Sequence, residues 1–370
     1  MTGGLFRRLD SLQAPVHGGT PLPENVVDFS ISINPFPIPE AVRKAYISAW
    51  DEIGRYPDND NSSLSEAVSE YFSIAPERLL MTSGATEAFS LLASAFLGTN
   101  TTAMVVSPCY SDYEWVSKLA GARICRCSLK PEQSFIPDKK ELLGNISENR
   151  PDLIWLCSPN NPTGTVFDTE LTLSIADTLR FYGGTLIIDE AYAAFSEALP
   201  LSETLPHLSN VVFVRSLTKD FGIPGLRLGC INAESDVIRK LSLLKPGWSV
   251  SRPAQEAGIV LFTEIEYFKE SWRKVSLMKK DLVEAMLGLK LDIPASSGVD
   301  SGNFVFFKSP RMPDGKSFSE AMLDAGVRIR DCSSMGAPGF CRIGVRLPDE
   351  NRHFLEVIER VLVGRRNNDC

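Results

Sequence analysis

The chain has 370 residues, of which 44% are hydrophobic and 23% charged, and its formal net charge is −8. This length allows a sizeable core and favours two packed regions, while the acidic balance argues against a nucleic-acid partner. We find no stretch typical of a signal peptide or a membrane span, so a cytoplasmic enzyme without membrane contact is expected.

Metal-binding residues are few and scattered. The chain has 3 histidines and 8 cysteines. Cys125 and Cys127 form the one close cysteine pair, and neither a second pair nor neighbouring histidines complete a zinc site. We therefore expect no metal centre and reduced, structural thiols.

The elements follow one another in three stretches. The segment before Pro39 is proline-rich and irregular, and we interpret it as an arm that could cross an active-site mouth. From Leu79 to Asn232, short apolar runs alternate with helical stretches, which predicts βα units and a mostly parallel, buried sheet. After Trp248 come amphipathic helical stretches and three short apolar runs, NFVFFK, VRIRD and CRIGVRL, which suggest a small antiparallel sheet.

This order predicts an α/β protein. The large domain would be a three-layer α/β/α unit with a mostly parallel sheet, and a smaller α+β domain would be built from the N- and C-terminal parts. The predicted boundaries are 1–40 for the arm and part of the small domain, 41–247 for the large domain and 248–370 for the small C-terminal domain.

Two turns follow predicted strands at the edge where ligands bind in open α/β sheets. The motif SGATEA, which begins at Ser83, opens a helix, and backbone N–H groups at such a start suit a phosphate, although a tight turn also needs a glycine there. The motif SPNNPTG, which begins at Ser158, is a rigid turn that could hold an asparagine side chain towards a ligand.

Two charged residues also end predicted strands. Asp189 closes the run TLIID, where a buried acid needs a cationic partner such as a protonated pyridine nitrogen, unless it only caps a helix. Lys219 follows the run VVFVRS, and a lysine there forms an imine only if burial or nearby cations lower its pKa. Ser216, Thr218 and Arg227, which surround it in sequence, suit phosphate oxygens.

In this order, the motifs SGATEA, SPNNPTG, IDEAY, SLTK and GLRLG resemble those of the aspartate aminotransferase superfamily of pyridoxal-phosphate enzymes, fold type I, over nearly the whole chain. The resemblance implies that Lys219 forms a Schiff base with pyridoxal 5'-phosphate and that Asp189 pairs with its pyridine nitrogen. Asn161 and Tyr192 would hold the phenolic oxygen, and Tyr110 would stack on the ring. The residues implied for the phosphate are Gly84, Ala85, Thr86, Ser216, Thr218 and Arg227.

Two branches of the superfamily are most similar, histidinol-phosphate aminotransferase and threonine-phosphate decarboxylase. The stretch around Tyr56 matches both and implies a homodimer in which this tyrosine reaches the partner's cofactor phosphate. The segments at 17–19, 28–35, 223–225 and 330–333 are more similar to the decarboxylase. That likeness implies a substrate site in which Arg342 binds a carboxylate; the implied substrate-binding residues are His17, Ser32, Asn34, Arg330 and Arg342.

Departures from both branches keep several functions open. This chain has Thr82-Ser83-Gly84 in place of Gly-Asn-Gly, and it lacks the usual asparagine between 248 and 252. The alternatives are therefore a decarboxylase of a phosphorylated amino acid, an aminotransferase of the histidinol-phosphate type with Lys219 as the general base, and an eliminating or cyclising enzyme, for example on hydroxylated arginine. A transcription regulator with this fold is disfavoured because no basic helix-turn-helix pattern is found at the N-terminus.

Overall fold

The computed structural model describes residues 12, 14–15, 18–205, 207–298 and 301–364. The strands are β1 Val27–Asp28, β2 Leu79–Thr82, β3 Thr102–Ser107, β4 Arg123–Ser128, β5 Leu153–Cys157, β6 Thr185–Asp189, β7 Val211–Ser216, β8 Gly229–Asn232, β9 Phe304–Phe307, β10 Val327–Arg328, β11 Arg330–Asp331 and β12 Cys341–Gly344. The helices are α1 Glu40–Ser48, α2 Ser62–Phe72, α3 Gly84–Phe96, α4 Asp112–Ala120, α5 Lys139–Asn149, α6 Thr169–Arg180, α7 Leu201–Thr204, α8 Leu217–Asp220, α9 Ser235–Ser242, α10 Arg252–Thr263, α11 Ile265–Gly288, α12 Gly315–Asp324 and α13 Pro348–Gly364.

The large sheet has the strand order β2-β8-β7-β6-β5-β3-β4. β8 is antiparallel to both of its neighbours, and the other pairs are parallel, so β2 runs in the same direction as β7. The carboxyl ends of the six co-directional strands therefore share one edge with the start of β8. This arrangement confirms the predicted mostly parallel sheet, and it brings the polar segments after β2, β5, β6 and β7 together.

Helices cover both faces of this sheet, so its inner strands are buried on both sides. Met104 and Val106 of β3 pack in a core with α5 and α6, whereas Val105 packs on the opposite face with α3, α4 and α9. The alternation of neighbouring residues between two apolar layers is what strand geometry requires. The result is the predicted α/β/α arrangement.

The second sheet has the order β11-β12-β9 and is antiparallel. Its core includes Phe29 from the N-terminal segment together with residues of α11, α12 and α13. The run VRIRD divides into two strands, because β10 pairs in parallel with β1 instead of joining the other runs. Both ends of the chain thus contribute to the smaller unit, as predicted, while the exact domain boundaries stay a prediction.

Strand β4 was not predicted, because it lies at the edge of the large sheet. Its residues are mostly exposed or half-buried, so RICRCS lacks the continuous apolar run of the inner strands. Within the described ranges, no helix is both long and apolar enough to cross a membrane. The described cysteines are free thiols.

Candidate active site

A cavity of about 210 Å³ opens at the shared edge of the large sheet, between it and the smaller unit. Most of the predicted site residues line it, although they come from segments far apart in sequence. The predicted residues that line the cavity are Ser32, Ala85, Thr86, Tyr110, Asn161, Asp189, Tyr192, Ser216, Thr218, Lys219, Arg227, Arg330 and Arg342. Residues outside the predicted site set also line it, among them Gly18, Ile31, Phe89 and Met335.

Lys219 lies in the short helix α8, directly after β7, and its amine is the one lysine amine on the described cavity wall. Burial and the positive charges of Arg342 and Arg227 lower the pKa of Lys219 to about 8, with Asp189 acting in the opposite direction. A lysine amine in this environment is more readily deprotonated than one in water. The condition that the sequence argument set for imine formation is therefore met.

Asp189 lies at the end of β6, and both of its carboxylate oxygens accept hydrogen bonds. Oδ1 accepts from the backbone N–H of Ala191 at 2.9 Å, and Oδ2 accepts from the Tyr113 hydroxyl at 2.6 Å. Burial raises the pKa of Asp189 to about 6, while these two hydrogen bonds and Lys219 counteract that rise. Tyr113 was missed from the sequence, where it resembles any buried aromatic residue of an amphipathic helix.

A corner whose groups suit an anion forms where α3 begins and β8 starts. Gly84 has a φ of +74°, and a Cβ there would be 2.5 Å from a guanidinium nitrogen of Arg227. The Ser216 and Thr218 hydroxyls lie 2.7 Å apart, and both border the cavity. Glycine thus allows the arginine to lie against the start of the helix, where backbone N–H groups and two hydroxyls can also meet an anion.

The two asparagines of SPNNPTG have different roles. Asn160 donates to the Pro108 carbonyl and the Thr163 hydroxyl, both at 2.8 Å, which fixes the turn. Asn161 borders the cavity, where its side-chain oxygen accepts a hydrogen bond from Arg342. The second asparagine of the pair is therefore the one that faces the cavity.

Two arginines from the small sheet face the cavity side by side. Arg342 of β12 and Arg330 of β11 are direct cross-strand partners, and both line the cavity wall. Arg342 also donates to the Ser30 carbonyl at 2.8 Å, and Arg330 donates to the Ser334 hydroxyl at 3.1 Å. Burial, with Arg342 nearby, lowers the pKa of Arg330. Like charges directly opposite one another destabilise a sheet, so an anion between them would be stabilising.

Of the predicted residues that the structure describes, Gly84, Asn34 and Tyr56 do not line this cavity. Asn34 is buried behind Lys219: its backbone N–H donates to the Lys219 carbonyl at 2.9 Å, and its amide donates to the Asp220 carbonyl at 3.0 Å and to Ser271 at 2.7 Å. Tyr56 is 75% exposed and stacks on Trp248 with ring centroids 4.5 Å apart. His17 lies outside the described residues.

The segment 248–252, where the usual asparagine is missing, does not line the cavity in the described part of the chain. The Ser249 hydroxyl donates to Glu87 at 3.0 Å, and the Trp248 backbone N–H donates to Asn59 at 3.0 Å. Gln255 adds hydrogen bonds to the Asp58 carbonyl and to Asn61 at 2.7 and 2.8 Å. This segment is therefore tied to the loop that carries Tyr56.

Comparisons with known proteins agree with this geometry. The family model described as aminotransferase class I and II matches residues 24–358. The chain is 28% identical to histidinol-phosphate aminotransferase 2 of Archaeoglobus fulgidus, over 91% of this chain and 94% of that protein. It is 29% identical to threonine-phosphate decarboxylase of Salmonella typhimurium, over 92% of this chain and 93% of that protein.

A solved structure shares the fold. Aspartate aminotransferase from Thermus thermophilus with maleate has a TM-score of 0.83 and 25% identity, and the match covers 97% of this chain and 99% of that one.

Proposed function

Because the chain belongs to the class I and II aminotransferase family, a family of pyridoxal-phosphate enzymes, we propose that it acts on a small L-amino acid that carries a second anionic group. The reaction proposed is that of a threonine-phosphate decarboxylase. The alternative is a histidinol-phosphate type of aminotransferase, which is the name of another relative.

The residues of the cavity fit pyridoxal phosphate. Gly84 leaves room that a Cβ would fill, and Arg227, Ser216 and Thr218 form a corner suited to the phosphate. At the opposite end, the buried carboxylate of Asp189 suits a protonated ring nitrogen. When bound, the cofactor supplies an aldehyde for the substrate amine and a ring that withdraws electrons from the bonds of the α carbon.

The protein's own residues would orient the substrate and move protons. Arg342, whose Nε is buried without a hydrogen-bond partner among the described residues, would bind the substrate carboxylate. Lys219, with a pKa of about 8, can donate or accept a proton near neutral pH. The phenol of Tyr192, whose pKa burial raises to about 12, stays protonated and can donate a hydrogen bond.

The charge of the cavity is the main support for this substrate class. Four cationic side chains line it, Lys219, Arg227, Arg330 and Arg342, against one carboxylate on the described wall, that of Asp189. If Arg227 binds the cofactor phosphate and Asp189 the ring nitrogen, the charges of the paired arginines favour a substrate with two anionic groups.

The wall of the cavity also offers a neutral donor near these arginines. The Ser32 hydroxyl is buried, has no hydrogen-bond partner in the described ranges and borders the cavity, so it can donate to the distal anion. A cationic substrate such as a hydroxylated arginine would be repelled by the same wall. The charge therefore favours a phosphorylated or dicarboxylic amino acid over the cyclase alternative.

The test compares substrates and products on the purified holoenzyme. L-Threonine phosphate should release carbon dioxide, and unphosphorylated L-threonine should react at least 100-fold more slowly in kcat/KM. Histidinol phosphate with 2-oxoglutarate should yield little glutamate. If histidinol phosphate yields glutamate while threonine phosphate releases no carbon dioxide, the decarboxylase proposal is wrong and the aminotransferase alternative is supported. Turnover of a hydroxylated arginine alone would refute both.

The distal site can be tested separately from the reaction type. Arg330→Met should raise KM for the phosphorylated substrate by 10- to 100-fold, which corresponds to about 1.5–3 kcal/mol for a charge-assisted hydrogen bond. Arg311→Met, which alters an exposed arginine, is the matched control and should leave KM unchanged. An unchanged KM in the Arg330 variant would show that the second anion binds elsewhere.

We also propose that two copies form a homodimer through the surface around Tyr56. Trp50 is 70% exposed, and Tyr56 stacks on Trp248, which is itself 50% exposed. Aromatic rings in such positions are typical of interfaces. Sedimentation should give a dimer at micromolar concentration, and Trp248→Glu should shift it towards monomer. A wild-type monomer that retains full cofactor affinity would contradict this proposal.

A further inference from the structure

We propose that Tyr113 is a positioning residue, which holds the Asp189 carboxylate ionised and correctly oriented for the ring nitrogen of the cofactor. The inference rests on the cofactor alone and is independent of which substrate the enzyme takes. Tyr113 lies on α4 behind the cavity wall and does not line the cavity itself. It therefore acts through Asp189.

The orientation of the Tyr113 ring is fixed on several sides. The side chain is 1% exposed and stacks on Trp155 with centroids 5.4 Å apart and ring planes 6° apart, while Phe89 packs edge-on at 5.2 Å. The Trp155 indole donates to the Ser117 hydroxyl at 2.9 Å, and Ser117 donates to the Tyr113 carbonyl at 2.7 Å. A ring held in this way has its hydroxyl aimed at one carboxylate oxygen before any ligand binds.

This fixed hydroxyl opposes the effect of burial on Asp189. Burial favours the neutral carboxylic acid and raises its pKa to about 6, whereas the Tyr113 hydroxyl stabilises the anion. The Ala191 N–H is the second donor and Lys219 the nearby cation. The other ionisable groups that face Asp189 or interact with it are Glu190, Cys157, Tyr110, Tyr192 and Asp220.

Removal of the hydroxyl should have a consequence that depends on pH. Tyr113→Phe removes one donor from a buried anion, so the pKa of Asp189 rises from about 6 into the neutral range. Below that new pKa the carboxyl group is protonated and no longer stabilises a protonated ring nitrogen. Cofactor affinity should therefore be weakened at neutral pH and recover as the pH rises.

The experiment measures the dissociation constant of pyridoxal phosphate from apoenzyme by absorbance titration between pH 6 and pH 9. The ratio of the Tyr113→Phe constant to the wild-type constant should be about 2 to 10 at pH 7 and about 5 to 50 at pH 6, and it should fall towards 1 at pH 9. Titration of the cofactor phosphate is common to both proteins and cancels in the ratio.

Two further variants distinguish positioning from a general loss of structure. In an Asp189→Asn background, Tyr113→Phe should leave the dissociation constant within about twofold at every pH, because no carboxylate remains to be ionised. Tyr182→Phe removes a buried hydroxyl without a partner in the described chain and should give a ratio of 1. An unchanged affinity in Tyr113→Phe, or an equal and pH-independent loss in both backgrounds, would overturn the proposal.

Discussion

Replacement of Lys219 by methionine should stabilise the apoprotein at neutral pH, although it removes the proposed attachment point of the cofactor. The ordinary pKa of a lysine is 10.5, and burial with Arg342 and Arg227 lowers that of Lys219 to about 8. At pH 7 the folded protein therefore carries a charged amine in an unfavourable environment. From these two pKa values, the cost at pH 7 is about 3 kcal/mol of unfolding free energy.

The sign of the pH dependence follows from proton binding. Between pH 8 and pH 10.5 the unfolded state binds more protons at this residue than the folded state, so wild-type stability gains from Lys219 as the pH rises. The advantage of Lys219→Met should accordingly shrink from about 3 kcal/mol at pH 7 to about 1 kcal/mol at pH 10. Methionine is a suitable replacement because it keeps the length of the side chain without the charge.

Urea unfolding of cofactor-free protein at pH 7, 8, 9 and 10 measures these differences, provided that the slopes agree between variants. Lys280→Met, on the exposed face of α11, is the matched control and should change stability by less than about 0.5 kcal/mol at each pH. A Lys219→Met variant no more stable than wild type at pH 7, or one whose advantage does not change with pH, would refute the reasoning.

Two further substitutions test the supports of the site. Gly84→Ala should weaken pyridoxal-phosphate binding at least tenfold, because the new Cβ displaces the Arg227 guanidinium. Gly183→Ala is the matched control: Gly183 has a φ of +84° and no atom lies within 4 Å of its Cβ. This control adds similar backbone strain and should leave the dissociation constant unchanged. Asn34→Ala should lower the free energy of unfolding by about 2–3 kcal/mol in urea, since it removes two buried side-chain hydrogen bonds, whereas the exposed Asn149→Ala should cost less than about 1 kcal/mol.

The main features of the sheet and of the cofactor end of the site could be predicted from the sequence, because both depend on local patterns. Buried parallel strands produce apolar runs; Asp189 is the last residue of one such strand, and Lys219 lies in the short helix that follows another. The family-like motifs added the expected role of each residue. A residue at the carboxyl end of a strand that is buried on both faces can therefore be placed at the ligand-binding edge of the sheet from its position in the sequence alone.

Features that depend on contacts between distant segments could not be predicted. The pairing of β1 with β10 joins two-residue strands 300 positions apart, as in Asp28 with Arg328, and no local pattern marks either one. Asn34 was expected at the substrate, yet its hydrogen bonds to the Lys219 and Asp220 carbonyls depend on how the N-terminal segment crosses α8. Tyr113 acquires its contact with Asp189 only when α4 packs on the sheet.

The charges around Lys219 connect the stability of the site with its function. Arg342 and Arg227 both disfavour the protonated amine, and Arg330 is held opposite Arg342 across the small sheet. Repulsion among these cations costs stability, and the binding of an anion would relieve it. A cofactor phosphate near Arg227 and a substrate carboxylate near Arg342 would remove the two largest charge effects on Lys219. Its pKa should then rise when both anions bind, so the amine becomes a stronger base but is protonated in a larger fraction of molecules at neutral pH.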